Sequence, residues 1–167
     1  CMIVPSVAGD GTLIFDDGFE SGLLCSWSST SPPVSCAENM YFVSNTDGDA
    51  DYASVAAVNA RSFSPGDTIL FKRGDTFFDD LEPIHDGSVD NHIVYGAYGT
   101  GKDPVIWSVD LSHRRHITVQ DIHFDMDAGG GGSSKTIAIA CYDVEIISIR
   151  RCEEENATQH GAYVGPF

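Results

Sequence analysis

Basic residues are scarce in this sequence. Nine lysines and arginines stand against 25 aspartates and glutamates in 167 residues, which gives a formal net charge of −16. Such a chain repels phosphate backbones and anionic lipid headgroups. The composition therefore excludes nucleic acid as a partner, and it disfavours a polyanionic sugar unless calcium bridges the like charges. It is typical of a protein kept soluble in an extracellular medium.

Long apolar runs and several catalytic motifs are also absent. No stretch approaches the roughly 20 apolar residues of a membrane-spanning helix, although 42% of the residues are hydrophobic, enough for the core of one domain. The run "GGGG" at 129–132 does not continue into the Lys and Ser/Thr spacing of a phosphate-binding loop. No Gly-x-Ser-x-Gly elbow of a serine hydrolase occurs.

The five cysteines show no spacing typical of zinc sites. Cys25 and Cys36 lie at the ends of a Ser/Pro-rich loop that cannot pack on itself, so we predict a disulfide between them. Cys141 and Cys152 either pair with each other or are small core residues in neighbouring strands. Cys1 either resembles the lipid-carrying first residue of a processed bacterial lipoprotein or marks the start of a fragment. Both alternatives favour an oxidising, exported location, extracellular or at the cell surface.

The sequence divides into two predicted regions. We predict that residues 1–39 form an exported leader with a disulfide-stapled loop, and that residues 40–167 form the folded domain. Residues 40–44 have the composition of a strand, and Asp51 is predicted to cap a helix that runs to about Ala60. The turns at Gly66-Asp67 and Gly74-Asp75 bracket a strand at 68–72. A single strand between two turns cannot bury its faces, so it must stack on others.

A repeat indicates how the strands stack. Two stretches share one spacing: Ile117, Val119, Ile122 and Phe124, then Val144, Ile146, Ile149 and Arg151. The second begins 27 residues after the first, and a period of roughly 20–50 residues is typical of a solenoid. We therefore expect Ile117 to stack on Val144. The strand at 68–72 should stack on residues 93–95, which should neighbour either residues 105–107 or the coil that holds Ile117.

Four segments carry a resemblance to a known family: "YFVSN", "VNARSFSPGDTILFKRGDTF", "VYGAYGTGKDPVI" and "ITVQDIHF". They resemble the opening of right-handed parallel β-helix proteins of the pectate-lyase-like superfamily, from about Met40 to the C-terminus. The resemblance implies an all-β right-handed parallel β-helix with a short N-terminal capping helix. It implies no single activity, because the superfamily includes polysaccharide lyases, glycoside hydrolases, adhesin-like proteins and purely structural members.

Candidate site residues follow from the chemistry of that superfamily. A polysaccharide lyase needs a cation that neutralises a uronate carboxylate and a base that removes the adjacent proton. Arg150 and Arg151 lie nearest to the face where such sites occur, so they are the candidates for catalysis. The densest cationic patch, residues 113–116, is interpreted as a solvated turn before a repeat strand.

Three aspartates are candidates for calcium binding. Asp47, Asp49 and Asp51 alternate in "DGDAD" as in a calcium loop. However, Tyr52 and Val58 replace the Gly and the closing Glu of an EF-hand. The alternative interpretation is a helix cap at Asp51 within a polar turn.

Two functions are consistent with these features. The first is an exported or cell-surface structural or binding module that associates with itself through its coil ends, even into filaments. It is favoured because the final residues resemble the start of another coil, which a continuation of the chain or a second subunit would cover. The second is the N-terminal part of a polysaccharide lyase or related glycan-active enzyme, with polysaccharide as partner.

Overall fold

The computed structural model describes residues 39–130, 135–157 and 160–164. In chain order, the described elements are β1 Met40–Val43, α1 Val55–Asn59, β2 Thr68–Lys72, β3 Thr76–Leu81, β4 Ile93–Tyr98, β5 Val105–Asp110, β6 Arg115–Gln120, β7 His123–Asp125, a 3₁₀ turn Ala128–Gly130, β8 Ile137–Cys141, β9 Glu145–Arg150, β10 Glu153–Glu155 and β11 His160–Val164. No helix in these described ranges is long and apolar enough to cross a membrane. Residues 1–38 of the predicted leader, with Cys1, Cys25 and Cys36, lie outside the described residues, so the predictions for them stay predictions.

The strands form two parallel sheets. Sheet 1 has the order β1-β2-β4-β6-β9, and sheet 2 has the order β10-β7-β5-β8-β11, with β3 also paired to β5. Successive windings add strands to both sheets, which produces a parallel β-solenoid of about four turns. The predicted fold class is confirmed, as is the strand at 68–72. Its predicted stacking on residues 93–95 is also confirmed, and the next neighbour is the coil of Ile117.

The core lies between the two sheets. Inward side chains of sheet 1 stack from winding to winding, as Ile69 does on Tyr95 and Ile93 on Ile117. All four are at most 2% exposed. Sheet 2 contributes a second stack: Phe77, Ile106 and Phe124. Burying such side chains in register supplies most of the stabilisation of a solenoid.

The predicted 27-residue register is wrong. Ile117 pairs with Ile147, and Val119 pairs with Ile149, so this winding is 30 residues long. Val144 lies before β9, and Phe124 pairs with Glu154. The physical reason is that residues 126–136 are inserted between β7 and β8, and they lengthen one winding without changing its inward positions.

The predicted cap of α1 is also wrong. Ser54 is the N-cap, and its hydroxyl accepts a hydrogen bond from Ala57 N at 3.2 Å. Asp51 Oδ2 instead accepts a hydrogen bond from Phe42 N at 2.8 Å. Ser54 takes the cap because it directly precedes the first helical residue in an extended conformation.

Cys141 and Cys152 are free thiols. Cys141 is buried in β8, and Cys152 is half-buried after β9. Of the two alternatives left open for this pair, the structure supports small residues packed in or against the core, and it does not support a disulfide between them.

Candidate functional site

A cleft of about 310 Å³ lies where β3 and β5 end. Both strands run in parallel, so the residues that follow them project at the same edge of sheet 2. The lining residues are Glu82, Pro83, Ile84, Asp110, Ser112, His113 and Arg114. The cleft therefore combines an apolar wall, which includes the exposed Ile84, with charged side chains.

Helix α1 positions Glu82. The side chain of Asn59, the last residue of α1, donates a hydrogen bond to Asp80 O at 2.8 Å and accepts one from Glu82 N at 2.9 Å. These two hydrogen bonds connect the end of β3 to the helix. The exposed carboxylate of Glu82 is consequently presented from a fixed backbone.

Lys135 links the two carboxylates of the cleft. Its Nζ lies 2.7 Å from Glu82 Oε1 and 3.4 Å from Asp110 Oδ2. Burial raises the pKa of Asp110, but hydrogen bonds from Ser112 and the charge of Lys135 outweigh it, so the net shift is downward. Burial likewise lowers the pKa of Lys135, whereas the hydrogen bond and charge of Glu82, with those of Asp110, raise it overall. Asp110 and Lys135 are therefore both charged at neutral pH.

The opposite wall is the turn at 112–114, the start of the cationic patch in the sequence. Arg114 donates a hydrogen bond to Ile84 O at 2.9 Å and lies 3.5 Å from Asp86 Oδ1. His113 Nδ1 lies 3.3 Å from Asp143 Oδ2 in the next winding. These contacts hold the turn in place, as expected of a turn stacked between coils.

An aromatic pair lies beside this turn. Tyr142 N donates a hydrogen bond to Ser112 Oγ at 3.3 Å. The ring of Tyr142 lies 4.9 Å from that of Tyr163, centroid to centroid, at a 34° tilt. Such rings present an apolar face together with a polar hydroxyl.

The predicted catalytic arginines lie elsewhere. Arg151 pairs with Asp121 through two contacts of 2.5 and 2.6 Å, and Arg150 Nε donates a hydrogen bond to Ser148 Oγ at 2.8 Å. Neither arginine lines the cleft. The ion pair between Arg151 and Asp121 connects two successive windings. The hydrogen bond from Arg151 and its charge lower the pKa of Asp121, although burial raises it.

The predicted calcium ligands have separate partners. Asp47 Oδ2 lies 3.3 Å from Lys72 Nζ, and Asp47 Oδ1 accepts a hydrogen bond from Asp49 N. Asp51 accepts the hydrogen bond of Phe42 described above. Within the described ranges, no group of three or more His, Cys, Asp or Glu residues is placed to hold a metal ion. The calcium prediction therefore gains no support from this arrangement, and it stays a prediction.

Sequence reasoning did not select Glu82, Asp110 or Lys135 as site residues. They are 28 and 25 residues apart along the chain. Glu82 follows β3, Asp110 ends β5, and Lys135 lies two residues before β8. Only the strand register brings them together. The one local signal is that Lys135 follows the glycine run, the type of insertion in which binding residues often occur.

The fold and the cleft define a β-solenoid protein with a charged cleft on one sheet edge. No family model and no curated protein matches the chain. Among solved structures, the chain is similar to a GH136 lacto-N-biosidase from Eubacterium ramulus. The selenomethionine derivative has a TM-score of 0.50 at 18% identity, covering 71% of this chain and 31% of that one. The native form has a TM-score of 0.44 at 17% identity, covering 70% and 30%.

At these identities, the likeness shows the fold alone. The matched region spans less than a third of the length of that glycoside hydrolase.

Proposed function

We propose that this chain is a carbohydrate-binding β-helix module of an exported glycan-active protein. The observation that carries the proposal is the cleft lined by Pro83 and Ile84, whose two carboxylates, Glu82 and Asp110, are joined by Lys135. Fixed polar groups on an apolar wall are typical of small-molecule sites. The fold likeness to a GH136 lacto-N-biosidase supports a glycan as the ligand, as does the sequence resemblance to the pectate-lyase-like superfamily.

Charge favours a neutral glycan over a uronate polymer. The cleft presents two carboxylates to one lysine, and its arginine is engaged by Asp86. The whole chain carries a net charge of −16. An anionic sugar would meet like charges at short range and at long range. We therefore place the lyase alternative second to the binding of neutral oligosaccharides.

Isothermal titration calorimetry with neutral tetrasaccharides tests this function. Cellotetraose and tetra-N-acetylchitotetraose serve as probes, and tetragalacturonic acid serves as the anionic comparison. We expect a neutral probe to bind the unmodified protein. Glu82→Gln and Asp110→Asn should each weaken that binding about tenfold, the size expected for hydrogen bonds to charged groups.

Asp90→Asn is the matched control, because Asp90 is an exposed carboxylate that does not line the cleft. It should leave the affinity unchanged. Binding that all three variants retain would show that the cleft is not the site. Chromatography of the same mixtures checks for turnover: cleaved probe would support the enzyme alternative, and unsaturated galacturonide would support the lyase.

Self-association is a second proposal. It is favoured by Ile149, which occupies an inward position of sheet 1 in register with Val119 but is 38% exposed. An inward side chain of a solenoid is normally covered by the next winding. Light scattering over a range of protein concentrations tests it, and a mass that stays monomeric throughout would exclude it.

A further inference from the structure

Two aromatic side chains lie side by side on the outer face of sheet 2. Phe77 and Ile106 are paired and buried, so the next residues, Phe78 and Trp107, point outward. Their ring centroids are 6.4 Å apart, with a 54° tilt. Phe78 is 57% exposed. We call these two residues the aromatic platform.

The 3₁₀ turn Ala128–Gly130 holds the platform in place. Trp107 Nε1 donates a hydrogen bond to Ala128 O at 3.1 Å, which fixes the orientation of the indole ring. Gly129 has a φ of 74°, and a Cβ at this position would lie 2.4 Å from the Phe78 ring. The glycine thus lets the turn lie against Phe78. Such support orders both rings, and ordered rings lose little entropy when a ligand binds.

Hydrogen-bonding groups continue the platform across the sheet. Asp125 follows Phe124, which is in register with Ile106, so Asp125 takes the outward position beside Trp107. Glu155 is in register with Asp125 in the next winding. Asp125 Oδ1 accepts hydrogen bonds from Asn156 Nδ2 at 2.7 Å and from Asp127 N at 3.0 Å. Within the part of the chain that the structure describes, its Oδ2 has no hydrogen-bond partner.

We infer that the aromatic platform is a stacking subsite for one pyranose ring of a neutral oligosaccharide. A pyranose presents C–H groups to an aromatic face and hydroxyls at its rim, and Asp125 offers an acceptor at that rim. The carboxylates of Asp125 and Glu155 disfavour uronates and sulfated sugars. A flat apolar ligand without hydroxyls would leave these acceptors unpaired.

The subsite deepens the proposed function, on which it rests. Trp107 and Asp110 belong to the same strand, so the platform lies about 10 Å from the cleft, at roughly 3.3 Å per residue. Phe78 and Glu82 are four residues apart along β3 and the residue after it, a separation of about 13 Å. One oligosaccharide lying along the two strands can therefore contact the platform with one sugar and the cleft with another.

The test compares exposed aromatic residues on the two sheets. Phe78→Ala and Phe78→Leu are measured by calorimetry with cellotetraose and tetra-N-acetylchitotetraose. Phe42→Ala is the matched control, because Phe42 is also exposed but lies on sheet 1. Circular dichroism and melting temperature confirm folding. We expect both Phe78 variants to bind the better probe about tenfold more weakly, as for a stacking anchor, and the control to bind it normally.

Tryptophan fluorescence supplies a second readout. The chain has two tryptophans, Trp27 and Trp107, and saturation with the probe should change the emission of the unmodified protein but not of Trp107→Phe. Suppose that Glu82→Gln weakens binding, whereas the Phe78 variants keep the affinity of the unmodified protein and the probe does not change its tryptophan emission. The subsite is then wrong and the cleft proposal stands. If the unmodified protein binds neither neutral probe, both are overturned.

Discussion

Burial in β8 determines the reactivity of Cys141. The side chain is 2% exposed, and this burial, followed by the nearby charge of Asp110, raises the pKa of the thiol to about 11. Only the thiolate reacts with alkylating agents. At pH 8, we expect iodoacetamide to label Cys141 only after the protein unfolds. Peptide mass mapping checks this, and a peptide that joins Cys141 to Cys152 would contradict the free thiols.

Ile146 stores backbone strain. It is a β-branched residue with a φ of 51°, and its side chain is 54% exposed. The left-handed conformation costs an ordinary residue about 1–2 kcal/mol, and asparagine tolerates it better. Ile146→Asn should therefore raise the free energy of unfolding by about 1 kcal/mol in urea denaturation. Val89→Asn, at an exposed position without a positive φ, should show no such gain.

The backbone conformation of Ile146 also accounts for the difference between the predicted and the observed register of the repeat. The sequence pattern treats Ile146 as an inward strand residue, because its β-branched side chain fits the spacing. The structure instead places it opposite the equivalent residue of β6, His116, which has a φ of 53°. Composition alone cannot distinguish an inward isoleucine from one with a left-handed backbone, since the difference lies in the backbone conformation and the winding length.

The loop between β3 and β4 depends on a close backbone contact at Gly87. A Cβ at this position would lie 2.2 Å from His116 O and 2.8 Å from Ile93 N, both backbone atoms that cannot move easily. Gly87 N also donates a hydrogen bond to Arg115 O at 3.0 Å. Gly87→Ala should lower the free energy of unfolding by about 3 kcal/mol, at the upper end for overpacking.

The control for this element is Gly48→Ala. A Cβ at Gly48 meets no atom within 4 Å, so this variant should unfold at nearly the unmodified urea midpoint. Because the same loop carries Ile84 and the Arg114 contact, Gly87→Ala should also weaken any ligand bound in the cleft. Equal midpoints for the two variants would mean that the loop does not pack as described.

Elements differ in how far the sequence predicts them. Alternation and turn residues predict β1 and β2 closely, because each is bounded by polar turns and has a buried face. The division of one winding's second strand into β7 and β8 could not be predicted. Both pieces pair with β5. The amino-acid sequence of residues 126–136 carries no pattern that predicts that the chain pairs with β5 a second time. The link between Glu82 and Asp110 depends on this return, since Lys135 lies two residues before β8.

At the scale of the whole molecule, negative charge opposes association while the exposed inward side chains favour it. A net charge of −16 repels a second copy over about 10 Å at 0.1 M salt. Ile147 and Ile149 are only half-covered or exposed, whereas Ile117 and Val119 in the previous winding are fully buried. Self-association should therefore strengthen as salt screens the charge.

Hydrogen exchange measured at two protein concentrations tests whether copies associate despite their charge repulsion. In the described order of sheet 1, β4 and β6 have neighbours on both sides, whereas β9 pairs only with β6. We expect amides of β4 and β6 to exchange slowest at every concentration, because opening them disrupts the core. If copies associate through the exposed side chains of β9, its amides should become better protected at tenfold higher concentration in high salt, while β4 stays unchanged. If the protection of β9 is independent of both concentration and salt, association at this surface is excluded. The proposals for the cleft and the aromatic platform would be unaffected, since both lie on sheet 2.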